Sequence, residues 1–177
     1  MNSAYLIWIE NIQSPIIEGQ VIDLLSKLTR NYKKKDKQFL ILFQLFFFGP
    51  YSQLFERFRL INQIKKDLKK NKITLITVPI LGLPRTLPRI LFNAKWYLLP
   101  LIFIQTFPAL FIICITKKIT LLHCRSYPIT LPAIVLKKIL HLKVLFDPRS
   151  DFPEENISAG NWHANSYSYK IWKYLEK

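Results

Sequence analysis

Two short stretches hold the side chains best suited to chemistry in this chain: residues 123–128, HCRSYP, and residues 146–155, FDPRSDFPEE. An arginine fork and an imidazole can bind phosphate or hydroxyl groups, and a carboxylate can orient a hydroxyl or an arginine. His123 and Arg125 close one apolar run, Asp147 and Arg149 close the next, and Glu154 and Glu155 follow shortly after. If those runs are neighbouring strands, His123, Arg125, Asp147 and Arg149 line one crevice. The plainer alternative is an internal Asp147–Arg149 ion pair and a histidine satisfied by backbone. Cys114 and Cys124 lack the paired spacing of a zinc site, so no metal and no cofactor are expected. Two cysteines also cannot staple a domain of this size, which suits a reducing cytosol.

The elements that must position these groups alternate along the chain. Residues 4–10 form an apolar run ending at Glu10, and residues 39–48 form another ending at Gly49-Pro50. Both read as buried strands. Between them, Ser14 and Pro15 offer a helix start, and Ile17, Val21, Leu24, Leu25 and Leu28 repeat at helical spacing. The run Lys33 to Lys37 reads as a solvated loop. Leu54, Phe58, Ile61, Ile64 and Leu68 mark a second helical face, with basic residues on the other side. A third strand is expected from Ile73 to Val78, stopped by Pro79, and then a breaker-rich loop from Leu81 to Pro88. Residues 120–125 and 143–147 read as strands four and five around a helix over 131–140. A polar loop to Asn165 and a helix over 167–176 complete the chain. Alternating strands and helices with apolar strands argue for an α/β fold: a Rossmann-like parallel sheet with helices on both faces, where ligands bind at the carboxyl ends of the strands.

The chain has 177 residues, which suits one domain, and half of them are hydrophobic; this excludes a disordered tail as the main description. Its formal charge is +15, and most of the excess lies between Lys27 and Lys95, where 16 Lys and Arg face Asp36, Glu56 and Asp67. The helix ending at Lys70 is therefore expected to turn Lys65, Lys66, Lys69 and Lys70 toward an anionic membrane surface, the alternative being a solvated basic face. No RNA-binding signature or helix-turn-helix spacing is visible, so nucleic acid is not expected as a partner. No secretory signal opens the chain, and the sequon at Asn156 is read as chance. Residues 96–115 carry no charge and are flanked by Lys95 and by Lys117 and Lys118, the length of a membrane span. Pro100, Gln105 and Pro108 inside it, and strands resuming after it, favour a buried or membrane-lying helix. A small integral membrane protein spanning at 96–115 is the rival reading.

The two motifs, at this spacing, resemble the N-terminal domain of family 4 glycosyltransferases with the GT-B fold. In that family a His-x-Arg-Ser-Tyr element ends one strand and an Asp-x-Arg-Gly-x-x-Pro-Glu-Glu element follows the next; Gln20, Trp162 and the aromatic last helix are also similar. The resemblance implies that residues 1–177 form one acceptor-side domain, half of a GT-B fold, truncated before a C-terminal donor domain. It implies a retaining enzyme that moves sugar from a nucleotide-sugar to a glycan or lipid-linked acceptor without a metal. Such a half is expected to be inactive alone, with the nucleotide-sugar bound only alongside a C-terminal domain. His123, Arg125, Asp147, Arg149, Glu154 and Glu155 would then face the cleft, with Arg125 and Arg149 on acceptor or phosphate. The implied setting is the cytoplasm, peripheral at the inner face of the plasma membrane, in polysaccharide assembly. A non-catalytic remnant or partner subunit is the third reading.

Overall fold

The computed structural model describes residues 1–8, 21–31, 36–46, 51–81, 99–148 and 151–175. Five strands form one sheet: β1 (Ser3–Trp8), β2 (Gln38–Phe46), β3 (Ile73–Leu81), β4 (Leu121–Cys124) and β5 (Lys143–Phe146). Their spatial order is β3-β2-β1-β4-β5, and all neighbours pair in parallel. The chain builds outward from β1 to β3, then crosses back to lay β4 on the other side of β1. The expected α/β fold with a Rossmann-like parallel sheet is thus the architecture present. Order reversal makes the gap between the carboxyl ends of β1 and β4 the switch point, where such sheets leave a crevice.

Among the described residues, six helices connect and flank the strands: α1 (Asp23–Asn31), α2 (Tyr51–Lys70), α3 (Leu99–Thr116), α4 (Tyr127–Leu140), α5 (Phe152–Ser158) and α6 (Tyr167–Leu175). Side chains alternate across each strand, and the two faces fill separate cores. Leu6, Trp8, Phe39, Ile41 and Leu122 point toward α3 and α4, with Ile102, Leu110, Ile129 and Leu136 packed on them. Tyr5, Ile7, Leu40 and Leu42 point the opposite way, toward Val21, Leu25 of α1 and Leu68 of α2. All six residues of β1 are buried, as a central strand covered on both faces must be, and this is why residues 4–8 read as an unbroken apolar run. Burying each of Leu6 and Ile7, both fully enclosed, contributes about 1.5–3 kcal/mol.

Several boundaries differ from expectation for physical reasons. Strand β3 runs through Pro79 to Leu81, with Pro79 in register with Gln44. As an edge strand, β3 tolerates a residue that donates no hydrogen bond. Helix α4 begins at Tyr127, four residues before the expected start, because Ser126 is extended (φ −143°, ψ 153°) and a proline stands in the first turn, where its fixed φ suits the helix. The region after Asp147, expected to be loop, contains α5. Lys33 to Lys35, Trp96 and the stretch after Leu81 up to Pro88 lie outside the described residues.

The apolar segment over 96–115 becomes α3, Leu99–Thr116, with Pro108 inside it and four buried residues, Ile102, Thr106, Leu110 and Cys114. By length and composition it is a candidate membrane span, yet it packs on the sheet beside α4. Its place is that of a covering helix in a layered α/β domain. The sequon is also closed by packing: Asn156 is buried, and its Nδ2 donates to the Phe152 carbonyl at 2.9 Å.

Candidate functional site

The carboxyl ends of β1, β4 and β5 are stitched together by backbone. The Arg125 N–H donates to the Leu6 carbonyl at 3.2 Å, and the Asp147 N–H donates to the Cys124 carbonyl at 2.9 Å. These bonds carry the ladder one residue past each short strand, so Arg125 and Asp147 sit where the sheet stops. Helix α4 starts two residues after Arg125, which leaves no slack for the arginine to leave the switch point.

Register brings the remaining groups in. Tyr5 of β1 pairs with His123 of β4, so both project from the same face, and their rings meet at 4.3 Å with planes inclined at 59°. Arg125 Nη1 donates to the Tyr5 hydroxyl at 3.2 Å. That hydroxyl in turn donates to Asp147 Oδ2 at 3.5 Å, and His123 Nε2 stands 3.6 Å from the same carboxylate oxygen. Three strands therefore contribute to one connected cluster in which a guanidinium and a carboxylate lie on opposite sides of a tyrosine hydroxyl.

Exposure divides the cluster into floor and rim. Tyr5 and Arg125 are each 2% exposed, whereas the side chains of His123 and Asp147 are 18% and 45% exposed. A buried guanidinium is costly without hydrogen-bond partners and opposite charge nearby, and Asp147 supplies the charge across the Tyr5 oxygen. The group most open to solvent is the Asp147 carboxylate, with His123 Nε2 buried beside it. Burial pushes the His123 pKa below its ordinary 6.5, opposed by the charge and hydrogen-bonding capacity of Asp147, with Arg125 lowering it further. At neutral pH the ring is therefore uncharged, with one nitrogen free of a proton to accept.

Glu154 makes its side-chain contacts away from these partners. Glu154 is spent on tying α5 to α6: it accepts from the Tyr169 hydroxyl at 3.1 Å and pairs with Lys173 at 2.9 Å. Lys173 holds its carboxyl below the usual range, with desolvation opposing and Tyr169 assisting. Glu155 is exposed on α5, and its main chain closes the helix onto Asp151 and Ala159. Arg149 lies outside the described residues. Lys65, Lys66, Lys69 and Lys70 are exposed on α2, and Lys70 pairs with Asp67 at 2.8 Å. Among the described residues, no group of three or more His, Cys, Asp or Glu could hold a metal ion. Cys114 and Cys124 are free, buried thiols, each pushed up to about 12 by burial.

Tyr5 is the member that the strand-end motifs did not announce. The available signal is its hydroxyl within the run Ala4 to Ile9, because a buried tyrosine in a strand covered on both faces needs a partner for its oxygen.

No family model matches this sequence, and no curated protein matches it. Among solved structures, a protein from the universal stress protein family of Burkholderia pseudomallei is similar at 12% identity, over 82% of this chain and 95% of that one, with a TM-score of 0.36. No glycosyltransferase is among these matches, because no family model and no curated protein matches the sequence at all. The expected family assignment is corrected accordingly, and with it the sugar-transfer activity and the polysaccharide setting. The physical reason the motifs misled lies in the sheet. Any parallel sheet puts polar residues after its strands, and here Arg125 is turned inward onto Tyr5, while Glu154 braces two helices. What the sequence resembled was a set of fold positions.

Proposed function

We propose that this domain binds a small hydroxyl-bearing ligand in the crevice at the carboxyl ends of β1, β4 and β5. The observation that carries the reading is the exposed Asp147 carboxylate and adjoining neutral His123, held from beneath by Tyr5 and Arg125. A carboxylate is acceptor-only, and a neutral imidazole adds a second acceptor or donor as needed, so ligand hydroxyls are the natural complement. Phosphate fits less well: the arginine that would attract it is 2% exposed and hydrogen-bonded to Tyr5, and an incoming anion would meet Asp147 first. Arg125 is then a positioning residue that fixes Tyr5 and, through it, the carboxylate. The paired, buried free thiols support a reducing, cytoplasmic setting.

Calorimetric titration with a panel of monosaccharides and polyols, set against inorganic phosphate, tests this. The expected result is measurable heat with hydroxylated compounds, lost in Asp147→Ala and reduced in His123→Ala, with none from phosphate. Undiminished binding in Asp147→Ala, or phosphate as the tightest ligand, would sink the reading.

A further inference from the structure

Helix α3 has two opposite apolar faces, and the fold uses one. The stripe Ile102, Thr106, Leu110 and Cys114 is buried on the sheet. On the far side, Ile104 and Ile112, eight residues apart with exposed Pro108 between them, are 68% and 59% exposed, and Ile115 beyond them is 50% exposed. A single exposed isoleucine is ordinary, but a whole apolar stripe held in water marks a contact surface.

Two observations identify what covers it. The first is that the helix carries few polar side chains: Gln105 is half-buried, with its Oε1 enclosed. The Thr106 hydroxyl is turned inward onto the Ile102 carbonyl at 2.7 Å, and Thr116 donates to the Ile112 carbonyl at 2.8 Å. The second is charge. No Asp or Glu occurs between Asp67 and Asp147, so the α3–α4 layer has no acidic side chain. Lys117 and Lys118 are exposed where α3 ends, and Lys137 and Lys138 are exposed in the last turn of α4 beside it. Helices α3 and α4 cover one face of the sheet and both run down toward the starts of β4 and β5, so these lysines gather at one end of the apolar stripe. An apolar face poor in hydrogen-bonding side chains, next to lysines in a layer with no acidic residue of its own, is complementary to acyl chains beneath anionic headgroups.

We propose that the outer face of α3 lies in the plane of an anionic lipid surface, with Ile104, Ile112 and Ile115 inserted and Lys117 and Lys118 at headgroup level. The site is distinct from the basic helix α2, which the sheet places on the opposite face. The described outer side chains of α2, Arg59, Asn62, Gln63, Lys65, Lys66 and Lys69, include no exposed apolar residue to insert. A crossing of the bilayer is not part of the proposal, because it would strip Ile102, Leu110 and Cys114 from the sheet they cover.

The test is flotation of the full chain with vesicles of phosphatidylcholine alone or mixed with phosphatidylglycerol. Binding is expected only with the anionic lipid and is expected to weaken in high salt. Ile104→Glu and Ile112→Glu, at exposed positions and with unchanged circular dichroism, should abolish it. Lys117→Gln and Lys118→Gln should each weaken it about fivefold, and the pair Lys65→Gln, Lys66→Gln should leave it unchanged. Wild-type flotation of the isoleucine variants would overturn the proposal. So would resistance to alkaline carbonate, which marks a span, or a lipid-free dimer dispersed by Ile112→Glu, which marks a second copy as the occupant.

Discussion

Replacing Tyr5 with phenylalanine removes one oxygen from the centre of the strand-end cluster and leaves the ring that packs on His123 in place. That oxygen receives Arg125 Nη1 at 3.2 Å and donates to Asp147 at 3.5 Å. Hydrogen bonds to charged groups contribute about 1.5–3 kcal/mol each, and both distances exceed the usual optimum, which places the pair near the lower end. Tyr5 is 2% exposed, so no bulk water takes the oxygen's place, and the buried guanidinium loses a partner. The expected cost is about 2 kcal/mol, and for a chain of this size that corresponds to a fall in Tm of about 4–8 °C. Urea unfolding of wild type, Tyr5→Phe, Asp147→Asn and the double variant would measure it. The two substitutions should couple by about 1 kcal/mol, because they share one interaction. A Tyr5→Phe protein within about 0.5 kcal/mol of wild type, the range of an ordinary surface change, would refute the idea that this hydroxyl joins the two charges.

Three further outcomes follow from the packing. Because burial lowers the His123 pKa below 6.5, the unfolded chain binds the proton more tightly; stability should be fully present above about pH 6.5 and fall as acid carries the pH down toward the folded-state value. His123→Gln should flatten that part of the curve in denaturant midpoints taken between neutral pH and pH 5. Cys114 and Cys124, buried and pushed up to about 12, should resist a disulfide reagent at pH 8 until the chain is unfolded; rapid labelling of the native protein would contradict their placement. Trp172 is 1% exposed and packs edge-on against both Tyr127 and Phe152. Trp172→Ala should therefore cost about 3–5 kcal/mol, read by loss of unfolding midpoint, and a near-neutral effect would mean that α6 does not close this core.

Local pattern carried most of the architecture. The runs at 4–8 and 39–43 are apolar on successive residues because both faces of those strands are covered, and the helices between them show the spacing of one packed side. The strand order follows from no local pattern; it depends on β4 crossing back to β1. The site was half legible. His123, Arg125 and Asp147 could be found because sheets end in polar residues. Their floor and rim could not, since whether Arg125 faces ligand or protein depends on Tyr5, which is 120 residues away and brought alongside by register. Glu154 looked like a cleft residue for the same reason: its partners Tyr169 and Lys173 lie on a helix whose packing direction the sequence does not state. The ambiguity of α3 was real chemistry, for a helix apolar on both faces satisfies the pattern of a core element and of a membrane-facing one at once.

In the proposed function, the crevice at the carboxyl ends of β1, β4 and β5 binds hydroxyl groups through Asp147. Titrating the isotope-labelled chain with the tightest-binding monosaccharide or polyol, and following backbone amides by NMR, tests it most directly. The account predicts shifts concentrated at Arg125, Ser126 and Asp147 and absent in Asp147→Ala. Shifts centred elsewhere, or the same shifts in Asp147→Ala, would contradict it.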